Sequence, residues 1–196
     1  MGKNETLERA FVLAGLDAVR EVGGEALVQI LLSQAGTPDL AEGVDRVPLS
    51  RYLHYRNVAL DFLGPGFCAT AYETGRLLVR NLPPERAKDV KRLLEQFERA
   101  ATKLPVIGQA AVLAARDAPG VVRASMKNPK TLVISIDDCP ECRDLKRESP
   151  FCFLNQGVIA EFAERHLGIQ VTTEETRCHA CGDPRCEIEV TEVVSA

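Results

Sequence analysis

The placement of the cysteines constrains this sequence most. The chain has seven cysteines in 196 residues, and six of them lie between positions 139 and 186. An odd number of thiols does not suit a complete set of disulfides, and in a reducing compartment clustered cysteines bind metal or act chemically more often than they pair. The sequence therefore predicts a metal or redox site in its last third. Cys68 stands alone on an apolar segment and is expected to lie in the core.

The remaining composition is that of an ordinary globular domain. Hydrophobic residues make up 45% and charged residues 27%, and a chain of this length buries roughly 70% of its unfolded surface, so it folds without a staple. The net charge is −4, and basic residues alternate with acidic ones, as over 85–89, which does not favour nucleic-acid binding. The acidic N-terminus lacks a signal-peptide core, and no apolar run approaches the roughly 20 residues of a membrane span. We expect a cytoplasmic protein.

The first hundred residues repeat their apolar side chains at helical spacing. Before Pro83 the expected elements are a helix that Gly23-Gly24 ends, a second over 26–32, a third from Pro48 to Leu63, and a fourth over 67–82. Pro83-Pro84 then begins the clearest helix, with an apolar stripe of Val90, Leu93, Leu94, Phe97 and Ala101. The segment 106–126 is predicted to be helical, with a strand pair as the alternative.

Beyond residue 129 the sequence changes to the pattern of strands. Leu132, Ile134 and Ile136 alternate as one face of a strand. The elements that follow are a turn at 139–142, a helix over 153–167 closed by Gly168, and strands over 169–175 and 187–191 joined by a tight connection. The predicted fold class is α+β, with N-terminal helices packed on a small antiparallel sheet.

Strand parity selects one carboxylate near the cysteines. Side chains two positions apart share a face of a sheet, so Glu175 points with Ile169 and Val171 towards the core, whereas Glu174 points away. A carboxylate on a core face is costly to bury unless a positive group pairs with it. Arg177 shares this parity and is one candidate for that positive group. A metal ion is the better candidate.

Thiolates close to Glu175 in the chain supply the other ligands for such an ion. Cys178 and Cys186 stand at the two ends of a hairpin-like connection, and Cys152 begins the preceding helix. Thiolate sulfur and carboxylate oxygen both suit zinc, and four protein ligands form a closed structural site. The predicted metal ligands are Cys152, Glu175, Cys178 and Cys186.

These residues carry a family resemblance. Cys139-Pro-x-Cys142, Cys152-Phe, Gly157 and Glu175-x-x-Cys178-x-Ala-x-Gly-Asp-x-x-Cys186 resemble the motif of the 4-vinyl reductase domain family. That family includes proteins linked to bacteriochlorophyll synthesis and the sensor domains of phenol-responsive activators. The resemblance is specific over roughly 130–190 and looser upstream. It implies one zinc on Cys152, Glu175, Cys178 and Cys186, as in the phenol sensors.

The resemblance also implies a function. Domains of this family bind a small hydrophobic ligand between helices and sheet, and commonly form homodimers. We expect residues 1–60 to be a helical extension that dimerises and residues 61–196 to be the ligand-binding domain. A tetrapyrrole of the bacteriochlorophyll pathway is the first expected ligand, and an aromatic hydrocarbon or phenol is the second.

Two other functional classes follow from the same resemblance. A vinyl reductase needs a hydride or electron source, and the sequence shows no cofactor motif for one, so an enzyme would depend on an external donor. A transcription activator would add an ATPase and a DNA-binding domain, for which 196 residues leave no room. A stand-alone sensor would act through a partner protein.

The cysteines leave further arrangements open. Cys139 and Cys142 with Cys178 and Cys181 have the spacing of a four-cysteine zinc site, and the family motif does not require Cys181. The sequence is also compatible with an iron–sulfur cluster, with a redox role for Cys139 and Cys142, and with buried thiols that bind no metal. His179 could replace one cysteine as a ligand, although a residue at its position more often faces solvent.

Overall fold

The computed structural model describes residues 5–97, 103–116 and 118–193. Within them the chain forms an α+β fold, as predicted. The helices are α1 (Arg9–Gln34), α2 (Leu49–Leu63), α3 (Gly66–Arg80), α4 (Pro84–Gln96), α5 (Leu104–Ala114) and α6 (Phe153–Phe162). The strands are β1 (Thr6–Glu8), β2 (Arg46–Pro48), β3 (Val121–Asn128), β4 (Thr131–Asp137), β5 (Val171–Arg177) and β6 (Cys186–Glu192). No described helix is long and apolar enough to cross a membrane.

The main sheet is antiparallel, with the strand order β3-β4-β6-β5. One face of its central strands is buried under the helices, because Leu132, Ile134 and Ile136 alternate on β4 as predicted and Ile188 and Val190 continue that face on β6. Strands β1 and β2 form a separate two-stranded ribbon beside α1. The helices therefore cover a single face of the sheet.

The N-terminal helices differ from the prediction at one glycine pair. Gly23-Gly24 does not end the first helix, because α1 continues to Gln34 across a kink at Gly24, whose φ is 72°. A glycine adopts this positive φ at little cost. Beyond the kink, Val28, Leu31 and Leu32 are buried and return the helix to the core. The two predicted segments are thus two halves of one bent element.

The segment 106–126 also differs from the prediction of a helix. Helix α5 ends at Ala114, and residues 121–128 form the edge strand β3, which pairs with β4. On α4 the predicted apolar stripe holds through Leu93, which is buried, while Ala101 lies outside the described residues. Helix α6 passes into a π-helical turn that ends at Leu167, and Gly168 closes it in the left-handed conformation.

Helices α3 and α6 cross at two glycines. A Cβ atom on Gly75 would overlap the carbonyl oxygen of Leu154, and one on Gly157 would overlap that of Tyr72. The two backbones can approach this closely only because both positions lack a side chain. Beside the crossing, the buried Glu161 of α6 accepts hydrogen bonds from Arg76 and Arg80 of α3 at 2.7 and 2.9 Å. The crossing fixes the start of α6, which carries Cys152.

Candidate metal centre and ligand cavity

Four parts of the fold bring the cysteines together. They are the turn after β4, the residue that precedes α6, the end of β5 with the loop after it, and the first residue of β6. Their side chains at the meeting point are all buried: Cys139, Cys142, Cys152, Glu175, Cys178 and Cys186. The structure thus assembles all four predicted ligands, and it adds both cysteines of the 139–142 turn.

Cys142 lies at the centre of this cluster. Its Sγ atom is 3.3 Å from that of Cys152, 3.6 Å from that of Cys178 and 3.5 Å from that of Cys186. Cys139 completes the group through an Sγ–Sγ distance of 3.5 Å to Cys152. In a tetrahedral site with Zn–S bonds of about 2.3 Å, neighbouring sulfur atoms lie about 3.8 Å apart. The sulfur spacing in the cluster is therefore close to that of a metal thiolate centre.

Glu175 occupies the position that strand parity predicts. It is 7% exposed, whereas Glu174 faces solvent. One oxygen, Oε2, accepts a hydrogen bond of 2.7 Å from the backbone N–H of Cys152, while the other, Oε1, is buried with no hydrogen-bond partner among the described residues. Burial raises the pKa of this carboxyl to about 7. Arg177 instead pairs with Glu187 at 3.4 Å, so Oε1 has the surroundings expected of a cation ligand.

The thiols in the cluster influence one another's protonation. Hydrogen bonding from the thiol of Cys142 lowers the pKa of both Cys139 and Cys178, because it favours their thiolate forms. The pKa values of Cys142 and Cys152 are raised, chiefly by their hydrogen bonds with Cys139. Metal ions bind the thiolate form, so the cluster is suited to exchange thiol protons for a cation.

The potential ligand atoms fall into two overlapping groups of four. In one group the sulfur atoms of Cys139, Cys142, Cys152 and Cys186 all lie within 4.8 Å of one another. In the other, the ligand atoms of Cys142, Glu175, Cys178 and Cys186 meet the same limit. The predicted ligand Cys152 belongs to the first group and the other three predicted ligands to the second. Cys142 and Cys186 belong to both.

Two residues of the alternative ligand sets lie outside these groups. Cys181 is exposed and takes part in neither group, although Cys139, Cys142 and Cys178 of the four-cysteine alternative do. His179 is exposed, and its Nδ1 lies 3.2 Å from the carbonyl oxygen of Asp183. The backbone N–H of His179 donates a 3.3 Å hydrogen bond to the sulfur of Cys186. His179 thus contacts the cluster through its main chain.

The cysteine turn is held from α2 by a residue that the sequence did not single out. Arg56 is 1% exposed, and its guanidinium group donates to the carbonyl oxygens of Pro140, Glu141 and Arg143 at 2.9 to 3.0 Å. Its remaining N–H groups donate to the side chain of Asn57. A buried Arg satisfied in this way fixes the conformation of the turn. The alternation of apolar and polar residues on α2 gives no signal for this role.

An apolar cavity of about 430 Å³ lies next to the cluster. Helices α1, α3, α4, α5 and α6 and strands β3 and β4 line it, mostly with apolar side chains such as Leu7, Phe11, Leu77, Ile107, Ile134 and Phe162. Pro140, Glu141 and Asn155 also line it, and the side-chain N–H of Asn155 lies 3.9 Å from the sulfur of Cys139. The cavity and the cysteine cluster therefore share a wall.

Glu141 is the buried acidic group of the cavity wall. It is 3% exposed and accepts a 3.2 Å hydrogen bond from the hydroxyl of Tyr52. Burial raises its pKa to about 7, while the nearby charge of Arg56 acts in the opposite direction. The other carboxylates of the lining, such as Asp17, are more exposed. Among the described lining residues, Glu141 thus offers a desolvated hydrogen-bond acceptor in an otherwise apolar space.

Comparisons with known proteins agree with this arrangement. The family model of the 4-vinyl reductase domain matches residues 132–192, which contain β4, β5, β6, α6 and the cysteine cluster. An uncharacterized protein of Methanocaldococcus jannaschii is 28% identical over 121 residues, which are 62% of this chain and 55% of that protein. The chain thus aligns with about half the length of this curated relative.

Two solved structures show the same fold at low sequence identity. An H-NOX protein from S. oneidensis in the Fe(II)NO ligation state covers 96% of this chain and 100% of its own, with a TM-score of 0.67 and 12% identity. The phenol-responsive sensory domain of the transcription activator PoxR, solved with phenol, covers 74% of this chain and 75% of its own, with a TM-score of 0.57 and 13% identity. Together with the spacing of Cys152, Glu175, Cys178 and Cys186, the match over 132–192 shows that this chain belongs to the 4-vinyl reductase domain family.

Proposed function

We propose that this protein binds a small hydrophobic ligand in the cavity between its helices and its sheet, as a sensor-type domain. The observation that carries the proposal is the 430 Å³ cavity itself, since ligand sites are commonly apolar spaces of about 300–1,000 Å³ with a few placed polar groups. Glu141 and Asn155 are such groups. The ligands named for the H-NOX and PoxR structures support a binding role rather than a catalytic one.

The cavity does not fit an iron porphyrin. Haem iron is held by an axial side chain of His, Cys, Met or Tyr, and the described lining residues include none of these. A tetrapyrrole ligand would therefore be one that needs no axial ligand from this wall. We keep an iron-free tetrapyrrole of the bacteriochlorophyll pathway as the first candidate and a phenol or aromatic hydrocarbon as the second.

The cysteine cluster, in this proposal, holds zinc as a structural ion. Three ligands are Glu175, Cys178 and Cys186, and the fourth is a thiolate of Cys142 or Cys152. The partnerless oxygen of Glu175 supports a cation at this place. When bound, zinc would tie β5, β6 and the start of α6 together, and its binding free energy would add to the stability of the fold.

Titration of the purified protein tests the ligand. Protoporphyrin IX and 2-naphthol are added separately, and absorbance and fluorescence report binding. We expect saturable binding of one probe, which Ala111→Phe on the cavity wall should weaken and Ala87→Phe on the exposed side of α4 should not. Absence of saturable binding by both probes would exclude this cavity as the proposed site. Reduction of a vinyl group with NADPH and no partner would contradict a purely binding role.

The proposal includes a cytoplasmic homodimer formed through residues 1–60. Exposed apolar side chains on α1 support this interface, among them Val22 and Ile30. Light scattering during size-exclusion chromatography should give twice the mass of the 196-residue chain. Val22→Glu with Ile30→Glu should give the monomer mass, and a monomeric wild type would remove this part of the proposal.

A further inference from the structure

We propose that the cysteine cluster binds two metal ions, with the thiolates of Cys142 and Cys186 as bridges between them. This inference rests on the proposed metal centre and extends it from one ion to two. The terminal ligands are Cys139 and Cys152 for one ion, and Glu175 and Cys178 for the other. Each ion then has four protein ligands, the number that closes a structural zinc site.

The proposal follows from the way the two groups of ligand atoms overlap. Each group contains four atoms within 4.8 Å of one another, and the two groups have the Cys142 and Cys186 sulfurs in common. Two tetrahedra that share an edge have this arrangement. The shared edge measures 3.5 Å between the two sulfur atoms, close to the sulfur separation of about 3.8 Å expected in a tetrahedral zinc site.

A single ion would leave this cluster with buried groups that it does not use. If the ion took Cys152, Glu175, Cys178 and Cys186, the sulfur of Cys142 would remain unligated within 3.3 to 3.6 Å of three ligand sulfurs. If it took Cys142 in place of Cys152, both Cys139 and Cys152 would remain as buried thiols. Two bridged ions use all six side chains.

The charge of the two-ion centre is no larger than that of the one-ion centre. Five thiolates and one carboxylate carry six negative charges, and two divalent ions reduce the total to −2. One divalent ion with four anionic ligands has the same residual charge. N–H groups near the sulfurs offset it further: His179 donates to Cys186 at 3.3 Å, and the side chain of Asn155 lies 3.9 Å from Cys139.

The number of ions per chain tests the proposal directly. The full chain is purified under reducing conditions, stripped of metal, and titrated with Cd²⁺ to saturation, and native mass spectrometry then counts the bound ions. We expect two. Cadmium-113 NMR should show two resonances, each split by coupling to the other ion through the bridging sulfurs. One ion at saturation would overturn this inference and leave the proposed structural site intact. No bound ion would overturn both.

Substitutions assign the ions to the two groups. Cys139→Ser removes a terminal ligand of one ion only, so the variant should bind one ion at saturation instead of two. Cys142→Ser removes a bridge and should lower metal content further than Cys139→Ser does. Cys181→Ser is the matched control, because its side chain lies outside both groups, and it should bind two. A Cys139→Ser variant that still bound two ions would contradict the assignment.

Discussion

Glu174 and Glu175 have the same side chain and adjacent positions, yet β5 places one in solvent and the other against five thiols. The alternation of a strand is enough to predict this difference. It also predicts that the buried member needs a cation, since its Oε1 has no hydrogen-bond partner in the described part of the chain.

Glutamine substitutions at these two positions should therefore behave differently. Glu175→Gln replaces an anionic ligand by a neutral amide, so the variant should bind metal more weakly and lose roughly 2 kcal/mol or more of stability. Glu174→Gln should stay within about 0.5 kcal/mol of the wild type, as exposed substitutions usually do. Thermal unfolding and elemental analysis check both variants. If they melt together and retain equal metal, Glu175 is not a ligand.

The cysteines allow a second comparison at single residues. Cys152→Ser removes a soft ligand that lies inside the cluster, so the metal content of the chain should fall. Cys181→Ser changes an exposed thiol and should leave both metal content and stability unchanged. Metal analysis of the two purified variants gives the answer. The reverse result would favour the four-cysteine set of Cys139, Cys142, Cys178 and Cys181.

Sequence spacing predicts membership of the cluster better than it predicts the contacts inside it. The motif named Cys152, Glu175, Cys178 and Cys186, and all four lie at the cluster. The central position of Cys142 was not predictable, because it depends on how the 139–142 turn is held. That hold comes from Arg56, 84 to 87 residues earlier in the chain, and no local pattern reports so distant a contact.

Among the elements, strong periodicity gave the correct assignments. The alternation of Leu132, Ile134 and Ile136 predicts β4, and the glycine and proline breaks correctly separate α2, α3 and α4. The edge strand β3 was missed because its residues do not alternate between core and solvent. Val121 and Met126 are exposed, and the strand is specified by its pairing with β4. Tertiary pairing thus decided where local pattern was weak.

The crossing of α3 and α6 leads to a prediction about packing. Gly157→Ala would place a methyl group onto the carbonyl oxygen of Tyr72, so the helices must separate and the protein should lose roughly 2 kcal/mol or more, the range typical of overpacking. Gly66→Ala is the matched control, because nothing lies within 4 Å of the new atom. Urea denaturation measures both. Equal midpoints would show that the helices separate freely.

For the whole molecule, the shared wall between cavity and cluster determines what the cavity should select. Glu141 presents a desolvated acceptor, so a ligand with one hydroxyl or N–H donor has an advantage over its methylated form. The wild type should bind 2-naphthol at least about ten-fold more tightly than 2-methoxynaphthalene, since a hydrogen bond to a charged group contributes about 1.5–3 kcal/mol.

Substitution of the acceptor should remove that preference. Glu141→Leu should bind the two probes alike, and Glu141→Gln, which keeps the side-chain size and one acceptor oxygen, should retain part of the difference. Asp17→Asn, whose side chain is 45% exposed on the same lining, serves as the control. Fluorescence titration gives the dissociation constants. A wild type that binds both probes with equal affinity would contradict the role of Glu141 without excluding the cavity.

The buried contacts of Arg56 bear on how such a domain can pass from one protein to another. The family match covers 132–192, but the turn that presents Cys139 and Cys142 is anchored by a guanidinium from α2, and α1 supplies part of the cavity wall. A recombination event that transferred only the matched segment would leave the turn carbonyls unpaired and the cavity open on one side. The inheritable unit is therefore longer than the stretch in which family likeness can be recognised, and its N-terminal helices can diverge in sequence as long as they travel with it.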